Sequence, residues 1–203
     1  MNVIWNGHSC FTLETAEGSV VFDPYQDGSV PGYGPLRLSA DRVLCSHDHR
    51  DHGARELVSL SGKTPAYQVE EIHTFHDPEK GALRGPNTIH VITAEGLRVA
   101  HLGDLGCDLE PEQVEQLRGL DAVLIPVGGF YTIDAKQAQR TAEQLGARVV
   151  IPMHYRSPAF GYDVIGPLED FLALRTDVVK YEGNTLELTR DTPAQTAVLT
   201  YLG

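Results

Sequence analysis

Between Cys45 and Gly53 the chain reads CSHDHRDHG, and the pattern His47-x-His49-x-Asp51-His52 inside it limits the folds open to everything else. It follows Val43 to Cys45, an apolar run read as a strand. Residues two apart on a chain leaving a strand point the same way, so His47 and His49 can converge on one point. Asp51 begins a turn into a helix expected to open near Gly53, and this aims Asp51 and His52 at a second point nearby. That is a layout for two cations. Neutral imidazole and carboxylate are the donors zinc takes when a site must keep an open position. A single histidine in a polar loop would need no such account; three histidines and two aspartates within six residues do. Four donors do not complete two sites, so the fold must deliver others from distant segments.

Strand-like runs downstream offer them. RVAHLGDLG ends in Gly103-Asp104, where a carboxylate after a glycine can approach two ions and bridge them. VVIPMHY runs into His154 by the same logic. VVFDPY places Asp23 at a strand end before Pro24, a position suited to hydrogen-bonding and orienting the ligand loop more than to holding metal. His101 lies in the strand before Asp104 at odd spacing from it, and reads as a buried structural histidine.

The rest of the chain supplies the frame. Short β-like runs cover Val3 to Trp5, Cys10 to Leu13 and Val20 to Phe22, before the turn-rich DPYQDGSVPGYGP. After the histidine loop ARELVSL has helical spacing, and further strands are expected at Ala66 to Val69, Thr88 to Ile92 and Leu97 to Leu102. The second half alternates. PEQVEQL is a helix with Pro111 in its first turn, and AVLIP and RVVIP are fully buried strands. Between them DAKQAQRTAEQLG is a helix with Asp134 as N-cap, Gln137 completing a capping box, Ala138, Ala142 and Leu145 on one face and Gly146 as the stop. PLEDFLALR is a last helix, and Val178 to Tyr201 holds three more strand candidates. Strands first and strand-helix alternation later predict an α/β fold of two mixed sheets packed together with helices outside, a four-layer αββα sandwich, formed as one domain over residues 1–203.

A formal net charge of −12, from 16 basic and 28 acidic residues, argues against nucleic acid and anionic membrane surfaces, both of which call for a basic face. Cys10, Cys45 and Cys107 show no C-x-x-C spacing; Cys10 and Cys45 read as reduced core thiols, and a site role is open for Cys107. The N-terminus shows neither the basic nor the apolar segment of a signal peptide, and no apolar run reaches the roughly 20 residues of a membrane span. A cytoplasmic protein is expected, with a small-molecule partner and with homo-oligomerisation open.

Taken together, Asp23, His47-x-His49-x-Asp51-His52, Asp104 and His154, in this order, resemble the metallo-β-lactamase-fold hydrolases. WNGHSCFTLE, IPVGGFYTID and IPMHY are similar to the small branch that includes L-ascorbate-6-phosphate lactonase relatives and many metal-dependent hydrolases. The resemblance implies that His47, His49 and a third histidine hold one metal, that Asp51, His52 and His154 hold the other, and that Asp104 is shared. The family's Gly-His-Thr segment for the third histidine is absent. Among His73, His76 and His90 the choice is His76, which leaves a strand-like run and enters a Gly-rich loop before Asp104; His73 is the reserve, and His90 in TIHVI reads as a sheet residue. His8, in GHS, matches the branch pattern and divides evenly between a role at the site and a structural one.

The expected chemistry is hydrolysis of a small-molecule ester, lactone or phosphoester by a binuclear enzyme that activates water on two divalent ions, zinc first and manganese or iron as alternatives. Asp51 is the expected general acid-base. Tyr131, Thr132, Tyr155, Arg156 and Tyr162 are pocket candidates, and Arg84 or Arg156 could clamp an anionic group. The alternatives are a phosphodiesterase or nuclease of the same fold, a two-iron oxidoreductase, and a metal-binding protein without turnover.

Overall fold

The computed structural model describes residues 1–203. The first half contributes β1 (Asn2–Gly7), β2 (Cys10–Thr15), β3 (Gly18–Phe22), β4 (Leu38–Ala40), β5 (Arg42–Leu44), β6 (Val58–Leu60), β7 (Gln68–Phe75), β8 (Pro86–Ala94) and β9 (Leu97–His101). The second half alternates α1 (Pro111–Gln116), β10 (Ala122–Pro126), α2 (Ala135–Leu145), β11 (Val149–Met153) and α3 (Leu168–Leu172), then ends in β12 (Val178–Lys180), β13 (Thr185–Glu187) and β14 (Gln195–Val198).

Two mixed sheets result. One runs β13-β1-β2-β3-β5 and the other β12-β14-β11-β10-β9-β8-β7, with β4 and β6 forming a separate parallel pair. They pack face to face through side chains such as Phe22 of β3, which stacks on His101 of β9 at 4.9 Å. In β1 alternate residues are buried, the mark of a strand with one face on a core. β10 and β11 are buried at every residue, which explains their unbroken apolar sequences: parallel strands in mid-sheet are covered on both sides. The three α-helices lie in the connections that carry the larger sheet across its parallel strands. α2 has the expected ends: Gln137 N–H donates to the Asp134 carboxylate at 2.8 Å, Asp134 N–H donates back to Gln137 Oε1 at 3.0 Å, and Gly146 closes the helix with φ 61°.

The expected helix over ARELVSL does not form. Arg55–Leu57 make a single 3-10 turn, and Val58–Leu60 pair in parallel with Leu38–Ala40 as β6. A short apolar run at i, i+3 spacing does not distinguish a helix from a strand, and the available edge of β4 decides it. The turn after Asp51 is therefore closed locally, by His52 N–H and Gly53 N–H both donating to His49 O at 2.9 and 2.8 Å. The strand expected at Ala66 to Val69 begins later and runs on through Phe75.

The topology gathers one set of strand ends. β1, β3 and β5 run in one direction in their sheet, and β7, β9, β10 and β11 share a direction in the other. His8 follows β1, Asp23 follows β3 and the histidine loop follows β5; His76 follows β7, Asp104 lies just past β9 and His154 follows β11. Six strands from two sheets thus empty onto one edge of the sandwich.

Candidate metal centre

The backbone is bent sharply where it delivers these side chains. His8, Asp23 and His154 all take left-handed conformations, with φ of 51°, 43° and 53°, a placement that non-glycine residues hold only when their surroundings demand it. His8 O accepts the Trp5 indole N–H at 3.0 Å, which fixes the bend after β1. At Gly103 (φ 58°) an added Cβ would stand 2.4 Å from Ser46 Cβ, so only glycine lets the end of β9 pass the ligand loop. Gly106 is as tight, with its missing Cβ 2.2 Å from the His76 carbonyl carbon.

Asp23 organises the loop. Its buried carboxylate accepts Ser46 N–H and Ser46 Oγ–H, both at 2.6 Å, and His52 Nδ1–H at 2.8 Å. Because Ser46 Oγ spends its proton on Asp23, it accepts from His47 Nδ1 at 2.9 Å. Both imidazoles are thereby held as Nδ1–H tautomers with their Nε2 lone pairs free. Asp104 is placed in turn by Asn87, whose Oδ1 accepts the Asp104 N–H at 2.9 Å while its amide donates to Leu102 O and Thr74 Oγ1.

Asp104 Oδ2 sits at the centre. Four imidazole Nε2 atoms surround it: His52 at 3.1 Å, His76 at 3.3 Å, His154 at 3.4 Å and His47 at 4.0 Å. Asp51 Oδ2 lies 3.7 Å from His52 Nε2 and 3.5 Å from His8 Nε2. Donor atoms close enough to share one ion fall into three overlapping groups: His47, His49 and His76; His47, His52 and Asp104; and His8, Asp51, His52 and His154. Nε2 of His47, His52 and His154, both ring nitrogens of His8 and Asp104 Oδ1 are buried without a hydrogen bond. Unpaired polar atoms at such density are costly unless something else satisfies them. Ligands 2.0–2.1 Å from a tetrahedral ion stand about 3.3 Å apart, the spacing found around Asp104 Oδ2. The residues present therefore fit a metal.

Charge points the same way. Burial would raise the carboxyl groups of Asp23, Asp51 and Asp104, yet neighbouring imidazoles hold all three below the usual range. Burial, helped by nearby histidines, lowers His47 to about 3 and His8 to about 4, so both are neutral. His52 alone is raised, against burial, by Asp104 and Asp51: the two carboxylates call for positive charge at its Nε2, which either a proton or a bound cation can supply. Three ionised carboxylates among largely neutral imidazoles make an electronegative hole, which a cation fills.

Not every sequence candidate reaches this centre. His76 does; His73 is exposed on β7, with its carbonyl accepting from Gln113, and His90 lies 3.8 Å from Glu71 on the sheet. His101 is buried between the sheets and donates to Ser9 O at 2.8 Å. His8 packs against His154 with ring centres 4.2 Å apart. Ser46 and Asn87 carry no signal in the sequence, because both act through space on residues the chain pattern does not connect to them. A cleft of about 290 Å³ opens onto the cluster, lined by His49, Asp51, His76, Arg84, Asp104, Tyr131 and Tyr162. Tyr155 is instead buried against Trp5, Thr132 donates to Ile133 O, and the exposed Arg156 donates to Ile165 O. Cys107 lies in a separate hollow with Phe75 and Asp108, its thiol raised by burial, and all three cysteines are free.

Two packed sheets that meet at a histidine-aspartate cluster define the metallo-β-lactamase fold. The chain belongs to the family of the Beta-lactamase superfamily domain, whose profile matches residues 2–154. Its relatives there are UPF0173 metal-dependent hydrolases: one from Methanoregula boonei is 30% identical, the match covering 77% of this chain and 83% of that one. A Thermotoga maritima crystal structure assigned to the Zn-dependent hydrolases of the metallo-β-lactamase superfamily superposes with a TM-score of 0.77 and 35% identity, over 98% of this chain and 96% of the other. An isothiocyanate hydrolase from Delia radicum gut bacteria shares the fold at a TM-score of 0.69 and 12% identity, over 93% of this chain and 100% of its own. The chain is thus a metal-dependent hydrolase of this superfamily. No helix in it is long and apolar enough to cross a membrane.

Proposed function

We propose that the enzyme is a binuclear hydrolase of small-molecule esters, lactones or phosphoesters. In this reading His47, His49 and His76 hold one divalent ion, Asp51, His52 and His154 hold the other, and Asp104 lies between them. The observation that carries it is the single Asp104 oxygen ringed by four imidazole nitrogens, two from each proposed set. Zinc is the first choice of ion on the donor set, with manganese and iron accepting the same ligands. Bound divalent cations supply Lewis acidity, drawing a nucleophile from water near neutral pH and neutralising charge that develops on a substrate oxygen.

The chain's own residues do the rest. Asp51 has one face on the cleft and accepts a hydrogen bond from the Tyr162 hydroxyl at 3.3 Å. Held ionised, it takes the proton of the attacking water and returns it to the leaving group. Burial and the adjacent Asp51 raise the Tyr162 hydroxyl, so it stays a donor and steadies the carboxylate. Asp23 and Ser46 keep the imidazoles in one tautomer throughout. A cleft of about 290 Å³ suits a small metabolite better than a polymer.

His49→Ala tests the reading. It removes an exposed donor from one set only. Metal analysis on purified protein should fall from about two ions per chain to about one, with nearly all esterase or lactonase activity lost and circular dichroism unchanged. Retention of both ions, or of full activity, would remove His49 from the site.

A further inference from the structure

Arg84 stands out among the charged residues of this acidic chain. It is the one lysine or arginine among the seven residues lining the cleft, beside Asp51 and Asp104. Its guanidinium makes no hydrogen bond and no ion pair with the protein; the residue's one hydrogen bond as a donor comes from its backbone. It lies over the Tyr131 ring, 5.7 Å from the centroid, and Tyr131 meets Tyr162 edge-on at 5.9 Å. A guanidinium held within cation–π range of one ring keeps the N–H donors of its own plane available to a further partner.

The loop that presents it is built, not slack. Asp77, next to His76, accepts four backbone N–H groups: Glu79 and Gly81 on Oδ1 at 2.8 and 3.0 Å, Leu83 and Arg84 on Oδ2 at 3.1 and 2.7 Å. His76 N–H donates to Gly85 O at 3.1 Å and closes the base. The position of Arg84 is therefore tied to the histidine at the site by hydrogen bonds.

Taking the hydrolase reading above as its basis, we propose that Arg84 is an anion-binding subsite and that the preferred substrates carry a carboxylate or phosphate away from the bond being cleaved. One end of such a molecule meets the metal cluster, and its charged end takes two N–H donors from the Arg84 fork. A free guanidinium in a cleft with two carboxylates gains most from a ligand that brings its own negative charge. Selectivity follows, because a neutral isostere leaves the fork unpaired.

Calorimetry on metal-loaded protein with three ligands matched at one end tests this: butyrate, glutarate and 4-phosphonobutyrate. Each offers a carboxylate to the cluster, and the far end is a methyl, a carboxylate or a phosphonate. The wild type should bind at least one of the two-headed anions about 10-fold or more tightly than butyrate. In Arg84→Gln that ratio should fall to about one, and Arg84→Lys should recover part of it, as a point charge without the planar fork. Whichever anion gains more identifies the group recognised. Equal binding of all three by the wild type, or a preference that survives in Arg84→Gln, overturns the subsite. Turnover of 4-nitrophenyl butyrate and mono-4-nitrophenyl glutarate separates the two readings. Absence of turnover of either, with the binding preference present, counts against the hydrolase reading on such esters and leaves the subsite standing. Turnover of both at equal kcat/KM does the reverse.

Discussion

At the scale of single residues, this site is a set of lone pairs kept free by neighbours that never touch the cleft. Asp23 shows the principle: it binds Ser46 twice and His52 once, and through Ser46 it also sets His47. Asp23→Asn keeps the shape but turns one acceptor into a donor facing other donors. Metal affinity should drop about 10- to 100-fold, read by competition with a chromophoric chelator, whereas an unchanged affinity would deny Asp23 its orienting part. The histidine loop was legible because its information is local, a spacing within six residues that strand geometry turns into direction. His8 was not legible in the same way. Its side chain meets Asp51 and His154 only because the backbone there enters the left-handed region, and periodicity carries no trace of such a turn.

Among the elements, reading succeeded where both faces or both ends of a segment were specified. α2 carried its own start, stripe and stop, and β10 and β11 announced their burial by unbroken apolar sequence. It failed at ARELVSL, where a partner strand 20 residues upstream, Leu38 against Val58, decides the outcome. It also stayed silent on how the tail divides, with β13 joining one sheet and β12 and β14 the other. The turn between α3 and β12 is tied to β14 through Arg175, whose guanidinium grips Asp177 at 3.0 and 2.7 Å while Thr196 Oγ1 of β14 also donates to that carboxylate at 2.9 Å. Burial would raise Asp177, but Arg175 and Thr196 hold it below the usual value. A depressed carboxyl stabilises the fold above its unfolded pKa of about 3.9, and that contribution fades as pH falls through the lower folded value. Asp177→Asn should therefore cost about 0.5–1 kcal/mol near neutrality, the modest value of a partly exposed pair, and its Tm should approach the wild type's as the pH falls through the depressed folded value. A deficit that persists undiminished in acid would assign the effect to packing.

For the molecule as a whole, the histidine-aspartate cluster closes one edge of the sandwich, drawing on both sheets at once. Asp51 and Asp104 repel one another there against burial, so cation occupancy and fold stability are linked. Ligand at about 100 times its Kd adds roughly 2.7 kcal/mol, and a chain of this size shifts by about 2–4 °C per kcal/mol. Stripping metal with a chelator should lower Tm by roughly 5–10 °C in a calorimeter, with recovery on adding zinc or manganese; a Tm indifferent to chelation would mean the cluster closes without ions. The gathering of strand ends was foreseeable from the ordered donors along the chain. Which rim residues face the cleft was not, since Tyr131 and Tyr162 do so while Tyr155 turns into the core. The Asp77 clasp has one more implication. Because a single carboxylate beside His76 ties off the segment that ends in Arg84, that segment behaves as a cassette. Evolution, or a laboratory graft, can exchange residues 78–84 and retune which molecules are admitted while the machinery behind them keeps its settings.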